Sequence, residues 1–212
     1  MSAKVSAERL EVMAPLSGFL MALETVPDPV FAQKLVGDGV SIDPVSNVLK
    51  APVAGEIIQI HSSSHALTVK TPHGIEILIH IGLDTVKLGG KGFEPLVKKG
   101  DNVTLGQDLI RFDADFVATN ARSLLTQVVV TNPESISELL RETGSVDACS
   151  DVIFTVIPAA APARVEQSGN SQRIISDSFV VVNPSGLHAR PASVLAGLAR
   201  QFECELHLQK GD

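Results

Sequence analysis

The most regular alternation of apolar and polar positions in the chain lies in residues 74–86, GIEILIHIGLDTV. Its β-branched residues and the glycine that follows them predict a β-strand that runs into a turn. Successive strand side chains point to opposite faces, so one face is a core face made of isoleucines: Ile75, Ile77, Ile79 and Ile81. The other face carries Glu76, Leu78 and His80, and His80 stands just before Gly82. Taken alone, His80 fits either a half-buried structural histidine or a reactive group.

Short apolar runs, broken by Gly, Pro, Asp and Asn, continue from residue 10 to residue 157. Turn signals every 8–12 residues are typical of an antiparallel β-sandwich or barrel, so this part is predicted to be mainly β. The segment MAPLSG at 13–18 is echoed by KAPVAG at 50–55, which predicts two similar hairpins in one sheet system. NPESISELLR at 132–141 predicts a short helix, with Asn132 as the N-cap and Gly144 as the stop.

A change of composition after residue 157 indicates a domain boundary. Residues 158–173 are rich in Ala, Pro, Gly and Ser and predict an interdomain linker. Residues 174–212 predict a strand, a loop, a helix and the start of another strand, which is too little to close a fold. We therefore expect a first domain over 8–157 and, after the linker, the beginning of an α/β domain that is cut off part-way.

The charge of the chain argues against nucleic acid as a partner. The net charge is −7, with 12 Lys and Arg against 19 Asp and Glu in residues 1–157 and five of each in residues 158–212. An acidic first region favours a partner that is basic around its docking site. Only 4% of residues are aromatic, so stacking platforms for single strands are nearly absent.

The cysteine content and the hydropathy predict a cytoplasmic protein. The two cysteines, Cys149 and Cys204, stand far apart and form no CxxC motif, which favours a reducing compartment. No signal peptide is indicated at the N-terminus, and no apolar run approaches the roughly 18 residues of a membrane span. Direct membrane insertion is therefore not expected.

A second histidine, His188, lies in the motif GLHARPA, where a loop meets a predicted helix. Backbone N–H groups and the dipole at a helix N-terminus favour an anion, and Arg190 adds a guanidinium that binds phosphate through two hydrogen bonds. A ring nitrogen, N–H donors and a guanidinium together predict a phosphohistidine site at His188.

In the first region, His65 is the natural companion of His80. It begins the run HALTV after the predicted strand 56–60, and neighbouring strands can bring two such positions together at about 5 Å. One neutral imidazole could then take a phosphoryl group while the other donates a hydrogen bond to it. His61 and His65 would form a metal pair on a helix, but the flanking strand patterns argue against a helix there.

At these residues the chain resembles a known family. Residues from about 8 to 157 are similar to the glucose-family enzyme IIA domain of the bacterial phosphoenolpyruvate:sugar phosphotransferase system. The motifs that carry the resemblance are APLSG, DPVFAQKLVGDGVSI, APVAG, SSSHALTV, GIEILIHIGLDTV, KGFEPLVKKGDNVTLGQDLI and TGSV.

The resemblance implies roles for five residues. His80 is the phosphorylated residue, His65 supports it, and Ser63 stands where the family commonly has a hydroxyl group in a hydrogen-bond relay. Asp38 and Asp84 match acidic positions around the active site and are expected to orient groups or to dock a partner. One departure is His61, at a place where the surface in this family tends to be apolar.

Residues from about 174 resemble the N-terminal part of an HPr domain, an open-faced α/β sandwich, with GLHARPA as its phosphorylation motif. This resemblance implies that His188 is phosphorylated and that Arg190 is its partner. The domain order is like that of multiphosphoryl transfer proteins, which usually continue into an enzyme I domain, so we expect the chain to be a fragment of one.

The function implied is that of a phosphocarrier, a phosphotransferase component that passes phosphate from enzyme I through His188 to His80 and on to a membrane IIB/IIC permease. No cofactor is required, although the resemblance also implies a zinc ion that His65 and His80 share with a partner protein. A regulatory protein that docks on permeases or metabolic enzymes is an alternative. A biotinyl or lipoyl carrier is a weaker one, because the modified lysine that it needs lies in a context such as Met-Lys or Asp-Lys-Ala, and no such tripeptide occurs between the candidate strands.

Overall fold

The computed structural model describes residues 9–159. These residues contain fourteen strands and two short α-helices, α1 (Pro29–Ala32) and α2 (Ala114–Asn120), with 3-10 helices at Leu23–Thr25, Thr85–Leu88 and Pro133–Ser135. The strands are β1 (Leu10–Met13), β2 (Gly18–Ala22), β3 (Asp38–Pro44), β4 (Val48–Lys50), β5 (Gly55–Ile60), β6 (Ala66–Lys70), β7 (Glu76–His80), β8 (Phe93–Pro95), β9 (Asn102–Val103), β10 (Asp108–Phe112), β11 (Thr126–Val130), β12 (Ile136–Arg141), β13 (Gly144–Val146) and β14 (Val152–Pro158).

The strands form one large sheet and two small ones. The large sheet has the order β13-β2-β3-β11-β7-β6-β5-β9, and the small sheets have the orders β1-β14-β12 and β4-β10-β8. The strand pairs within all three sheets are antiparallel. The prediction of a mainly β, antiparallel first region is therefore confirmed.

Strand β7 lies at the middle of the large sheet, between β11 and β6. Its isoleucine face is buried as predicted: Ile75, Ile77, Ile79 and Ile81 are at most 1% exposed and belong to the main hydrophobic core. The opposite face is covered by a separate group of apolar side chains, which we call the second cluster: Leu23, Val26, Phe31, Leu83 and Val129, with Leu78 packed against them. The second cluster is the layer beside which His80 lies.

The repeated segments at 13–18 and 50–55 are not hairpins, contrary to the prediction. The first joins β1 of one small sheet to β2 of the large sheet, and the second joins β4 of the other small sheet to β5. They hydrogen-bond to each other, with N–H of Met13 donating to the Pro52 carbonyl (3.0 Å) and N–H of Lys50 to the Pro15 carbonyl (2.9 Å).

The glycine that ends each repeat is required by close backbone packing. A Cβ atom at Gly18 would lie 2.1 Å from the Asp43 carbonyl oxygen, and one at Gly55 would lie 2.3 Å from the Lys70 carbonyl oxygen. The echo in the sequence therefore marks two equivalent corners between sheets, where the chain crosses another strand closely.

The helix predicted at 132–141 is wrong except for its first turn. A 3-10 helix ends at Ser135, and β12 then pairs with β14 in an antiparallel ladder. Gly144 does not stop a helix but begins β13. Tertiary pairing overrides the local helix signal here, because Ile136 and Leu139 pack against the main core from a strand.

Asn132, predicted as a helix cap, supports β7 instead. Its Oδ1 accepts a hydrogen bond from the backbone N–H of Glu76 (2.9 Å), and its Nδ2 donates to the Gly74 carbonyl (2.8 Å). The side chain thus fixes the point where β7 begins.

Two predictions fall on other parts of the chain. The linker beyond residue 159 and the HPr-like segment 174–212 lie outside the described residues. Across 9–159, no helix is long and apolar enough to cross a membrane.

Candidate functional site

His80 ends β7 with its ring held by one backbone carbonyl. Its Nδ1 lies 2.8 Å from the Gly82 carbonyl oxygen, and its ring meets the Phe31 ring edge-on at a centroid distance of 5.3 Å. A carbonyl only accepts hydrogen bonds, so Nδ1 carries the proton and Nε2 keeps its lone pair. His80 is partly exposed, and an imidazole nitrogen that keeps its lone pair has the chemistry of a nucleophile.

His65 lies beside His80, as the strand pattern predicted. The His80 backbone pairs with Ala66 of β6, and N–H of Ile81 donates to the His65 carbonyl (2.8 Å). The two rings meet at a centroid distance of 4.7 Å with an angle of 76° between their planes. The predicted contact between His65 and His80 is therefore confirmed.

Ser63 connects His65 to a third histidine. Its Oγ lies 2.8 Å from His65 Nδ1 and 2.8 Å from His61 Nδ1. His65 is only 3% exposed and Ser63 only 7% exposed, so this hydroxyl group fixes a buried ring. The Ser63 hydroxyl group thus lies within hydrogen-bonding distance of His65, as a relay requires. Its role in phosphoryl transfer stays a prediction.

Burial keeps both facing histidines neutral at physiological pH. Loss of solvation, reinforced by the neighbouring His80 and His61, lowers the pKa of His65 to about 3. Burial also lowers the pKa of His80, although the hydrogen bond to Gly82 and the charge of Asp28 oppose this effect. A neutral imidazole is the form that attacks phosphorus, so the environment favours the reactive state.

The low pKa of His65 predicts acid-dependent stability. In the unfolded chain this histidine takes up a proton below about pH 6.5, whereas in the folded protein it stays neutral until about pH 3. The unfolded state therefore binds more protons between these values, and the free energy of unfolding falls as the pH is lowered through this window. Urea denaturation at several pH values should show a slope of roughly 1 kcal/mol per pH unit from this group.

The matched control for this prediction is His65→Gln, in which no group titrates at position 65. Its unfolding free energy should depend less on pH between 6.5 and 4 than that of the natural sequence. Equal slopes in the two proteins would show that folding does not lower the pKa of His65, which would contradict the prediction.

Asp38 does not lie at the site, which corrects the prediction. It stands at the start of β3, level with Ile77 rather than His80 across the sheet. Its carboxylate forms an ion pair with Arg141 and a second one with Lys34 (3.2 Å), whose Nζ also contacts Glu24. Asp38 thus links β3 to β12 and to Lys34, which follows α1.

Asp28 is the acidic residue that acts on His80. It caps α1, where its Oδ1 accepts a hydrogen bond from N–H of Val30 (2.8 Å), and this helix carries the Phe31 ring that contacts His80. The sequence indicates the helix start at Asp28, because Asp followed by Pro is typical of an N-cap and the first helical position. Asp84 lies two residues after Gly82 in a left-handed conformation (φ 62°), with its Oδ2 3.0 Å from Lys87 Nζ.

Gln127 is a further polar residue that the sequence analysis missed. It lies directly opposite His80 in the β11–β7 pair and is fully buried. Its Nε2 donates to the Leu125 carbonyl (2.6 Å), and its Oε1 has no hydrogen-bond partner within residues 9–159. Nothing in the pattern TQVVV distinguishes it from a solvent-facing strand residue.

The site offers few ligands for a metal ion. Among residues 9–159, no group of three or more His, Cys, Asp or Glu side chains is placed to hold one. His65 and His80 use Nδ1 for hydrogen bonds to Ser63 and Gly82, which leaves the Nε2 atoms as two of the four ligands that zinc takes. A zinc ion would therefore need ligands from a partner, as the resemblance implies, and this stays a proposal.

Comparison with known proteins decides what this pair of histidines belongs to. Residues 10–136 match the family model described as phosphoenolpyruvate-dependent sugar phosphotransferase system, EIIA 1. The chain belongs to this family. Residues 175–212 match a second model, PTS HPr component phosphorylation site, which includes the predicted His188 and Arg190 outside the described residues.

Named relatives agree with the EIIA assignment. The chain is 51% identical over 126 residues to the PTS system glucose-specific EIIA component of Halalkalibacterium halodurans, a match that covers 59% of this chain and 73% of the relative. It is 40% identical over 151 residues to the component of the same name from Buchnera aphidicola, over 71% of this chain and 94% of the relative.

A solved structure agrees as well. The glucose permease IIA from Mycoplasma capricolum is similar with a TM-score of 0.67 and 37% identity, over 70% of this chain and 96% of that one. The chain is therefore a phosphocarrier with EIIA and HPr domains that relays phosphate in sugar transport. The biotinyl or lipoyl alternative is removed by this assignment.

Proposed function

We propose that Nε2 of His80 is the atom of the EIIA domain that accepts the phosphoryl group. The observation that carries this proposal is the hydrogen bond from His80 Nδ1 to the Gly82 carbonyl (2.8 Å), because it leaves the lone pair on Nε2. The ring is partly exposed and its burial keeps it neutral, so the nucleophile is available to a docked donor.

The donor in this proposal is phosphorylated His188, either in the HPr segment of this chain or at the equivalent position of a separate HPr protein. The N–P bond at the donor breaks as the N–P bond at His80 forms, so one phosphoramidate replaces another and the transfer is nearly balanced in energy. The phosphoryl group then leaves His80 Nε2 for a cysteine of a membrane IIB/IIC permease. Enzyme I supplies phosphate to the HPr domain at the start of the relay.

His65 supports the transfer from beside His80. Its Nδ1 is engaged by Ser63, so Nε2 is the nitrogen left to meet a phosphoryl oxygen at His80. Phosphoryl transfer depends mainly on positioning and on stabilising charge on the phosphoryl oxygens, and a buried imidazole held by a hydrogen bond supplies both.

Docking on the EIIA domain is proposed to use the surface around His80. Leu35 follows the α1 segment that contacts His80, and Val86 follows Asp84; both are exposed, at 39% and 52%. Exposed apolar side chains after α1 and after Asp84, in an acidic domain, fit a partner surface with an apolar centre and basic groups around it.

The test of this proposal is to locate the phosphate. A His188→Ala variant of the full chain, incubated with phosphoenolpyruvate, enzyme I and a separate HPr protein, should gain an acid-labile, base-stable phosphate. Phosphorus and nitrogen NMR should place it on His80 Nε2. Phosphate on His80 Nδ1, on His65 or on His61 would overturn the proposal, and a sample without enzyme I is the control.

A further inference from the structure

His61, Ser63 and His65 form a hydrogen-bonded chain that leads toward His80. The Ser63 Oγ atom lies 2.8 Å from Nδ1 of both histidines, and the His61 and His65 rings meet at a centroid distance of 4.4 Å. A third contact ties His61 to the same turn, since the backbone N–H of Ser63 donates to His61 Nδ1 at 3.2 Å. One serine thus lies between two ring nitrogens.

Counting protons along this chain gives one arrangement. Because the Ser63 N–H donates to His61 Nδ1, that nitrogen carries a lone pair and no proton. Ser63 Oγ lies 2.8 Å from the same nitrogen, so the proton between these two atoms belongs to the hydroxyl group, and the single lone pair of Nδ1 is shared by the hydroxyl and the backbone N–H. The hydroxyl has no second proton to give. Ser63 Oγ therefore accepts from His65, so His65 carries its proton on Nδ1 and leaves Nε2 bare.

We propose that His61 is a positioning residue which, through the Ser63 hydroxyl, holds His65 in the Nδ1–H tautomer while His80 is unphosphorylated. This inference deepens the proposed function and rests on it for its consequence. A bare Nε2 on His65 cannot donate to a phosphoryl oxygen. Before it can, His65 has to lose its proton from Nδ1 to solvent and take one from solvent on Nε2, so that the ring stays neutral. The contact with His61 through Ser63 therefore opposes the donor form of His65.

Removing the acceptor at position 61 should reverse the tautomer. In His61→Phe the ring is kept but its nitrogens are lost, so the Ser63 hydroxyl turns to donate to His65 Nδ1. His65 then carries its proton on Nε2, which is also the tautomer that free histidine favours. In His61→Asn, Oδ1 can replace Nδ1 as the acceptor of both Ser63 hydrogens, and the Nδ1–H tautomer should be restored.

The tautomer can be read directly from ring nitrogen resonances. Long-range proton–nitrogen NMR of the unphosphorylated full chain should show His65 with a protonated Nδ1 in the natural sequence and in His61→Asn. In His61→Phe, His65 should instead show a protonated Nε2 and an unprotonated Nδ1. His73→Phe is the matched control, since His73 is an exposed turn histidine, and it should leave the His65 resonances unchanged.

A second variant separates the hydroxyl route from simple ring packing. In a Ser63→Ala background, His61→Phe should cause no further change in the His65 tautomer, because the link between the two rings is gone. Three results would each overturn the inference. His65 could carry its proton on Nε2 in the natural sequence, its tautomer could stay the same in His61→Phe, or His61→Phe could have its full effect in the Ser63→Ala background. These measurements need no phosphate, so a failure of phosphoryl uptake at His80 would be seen separately as a failure of the proposed function.

Discussion

Replacing His80 with alanine is expected to abolish phosphoryl uptake by the EIIA domain. The substitution removes Nε2, the ring nitrogen of His80 that is not used in the hydrogen bond to the Gly82 carbonyl. Loss of a covalent nucleophile costs roughly three orders of magnitude or more in rate, because the bound donor has no atom to transfer to. Radiolabelled phosphoenolpyruvate with enzyme I and HPr measures this loss.

The background for this test is His188→Ala, so that label on the HPr segment does not mask the result. His73→Ala is the matched control and should label like the unchanged EIIA domain. Equal labelling of His80→Ala and its control would refute the assignment of His80. Because the His80 side chain is only partly buried, its removal should leave the fold intact, which circular dichroism can verify.

Replacing His65 with glutamine is expected to separate uptake of phosphate from its onward transfer. The glutamine amide can still donate a hydrogen bond to a phosphoryl oxygen, so His80 should be labelled at a rate within a few-fold of normal. Unlike imidazole, the amide cannot take up or release a proton as charge shifts during transfer. This difference matters for the onward step, because a cysteine thiol loses a proton when it takes the phosphoryl group, whereas transfer from one histidine to another needs no net proton change. Onward transfer should therefore slow by about 100-fold or more, which is the usual worth of a positioned acid or base.

The measurement is the decay of labelled His80 after membranes that contain the IIB/IIC permease are added. Single-turnover conditions isolate the transfer step from rephosphorylation. Normal onward transfer by the glutamine variant would contradict a supporting role for His65. A urea denaturation curve of the variant distinguishes a slow site from an unfolded one.

The sequence predicted the central strand of the site well, because β7 has one buried face and one distinct face. A slip of one residue would move all four isoleucines out of the core, so the alternation fixes where His80 points. The contact with His65 followed from the neighbouring strand, since the ladder between β6 and β7 brings Ala66 opposite His80. Local pattern and tertiary pairing agree here.

Where long-range contacts decide, the sequence was less informative. The sequence of residues 136–141 favours a helix, but these residues form β12 and pair with β14 of the small sheet. The acidic residue beside His80 proved to be Asp28 and not Asp38, because α1 folds over the face of β7 while Asp38 is bound by Arg141. The link from His61 to His65 through Ser63 depends on a turn whose geometry no periodicity describes.

The second cluster has a consequence for how this protein can change over generations. None of its five buried members belongs to the main core, and one of them is Phe31, whose ring contacts His80. Substitutions in the second cluster can change the surface beside the phosphoryl acceptor, while the packing of the main core continues to stabilise the fold. A lineage can therefore adapt to a new docking partner without first repacking the sheet that presents its histidine.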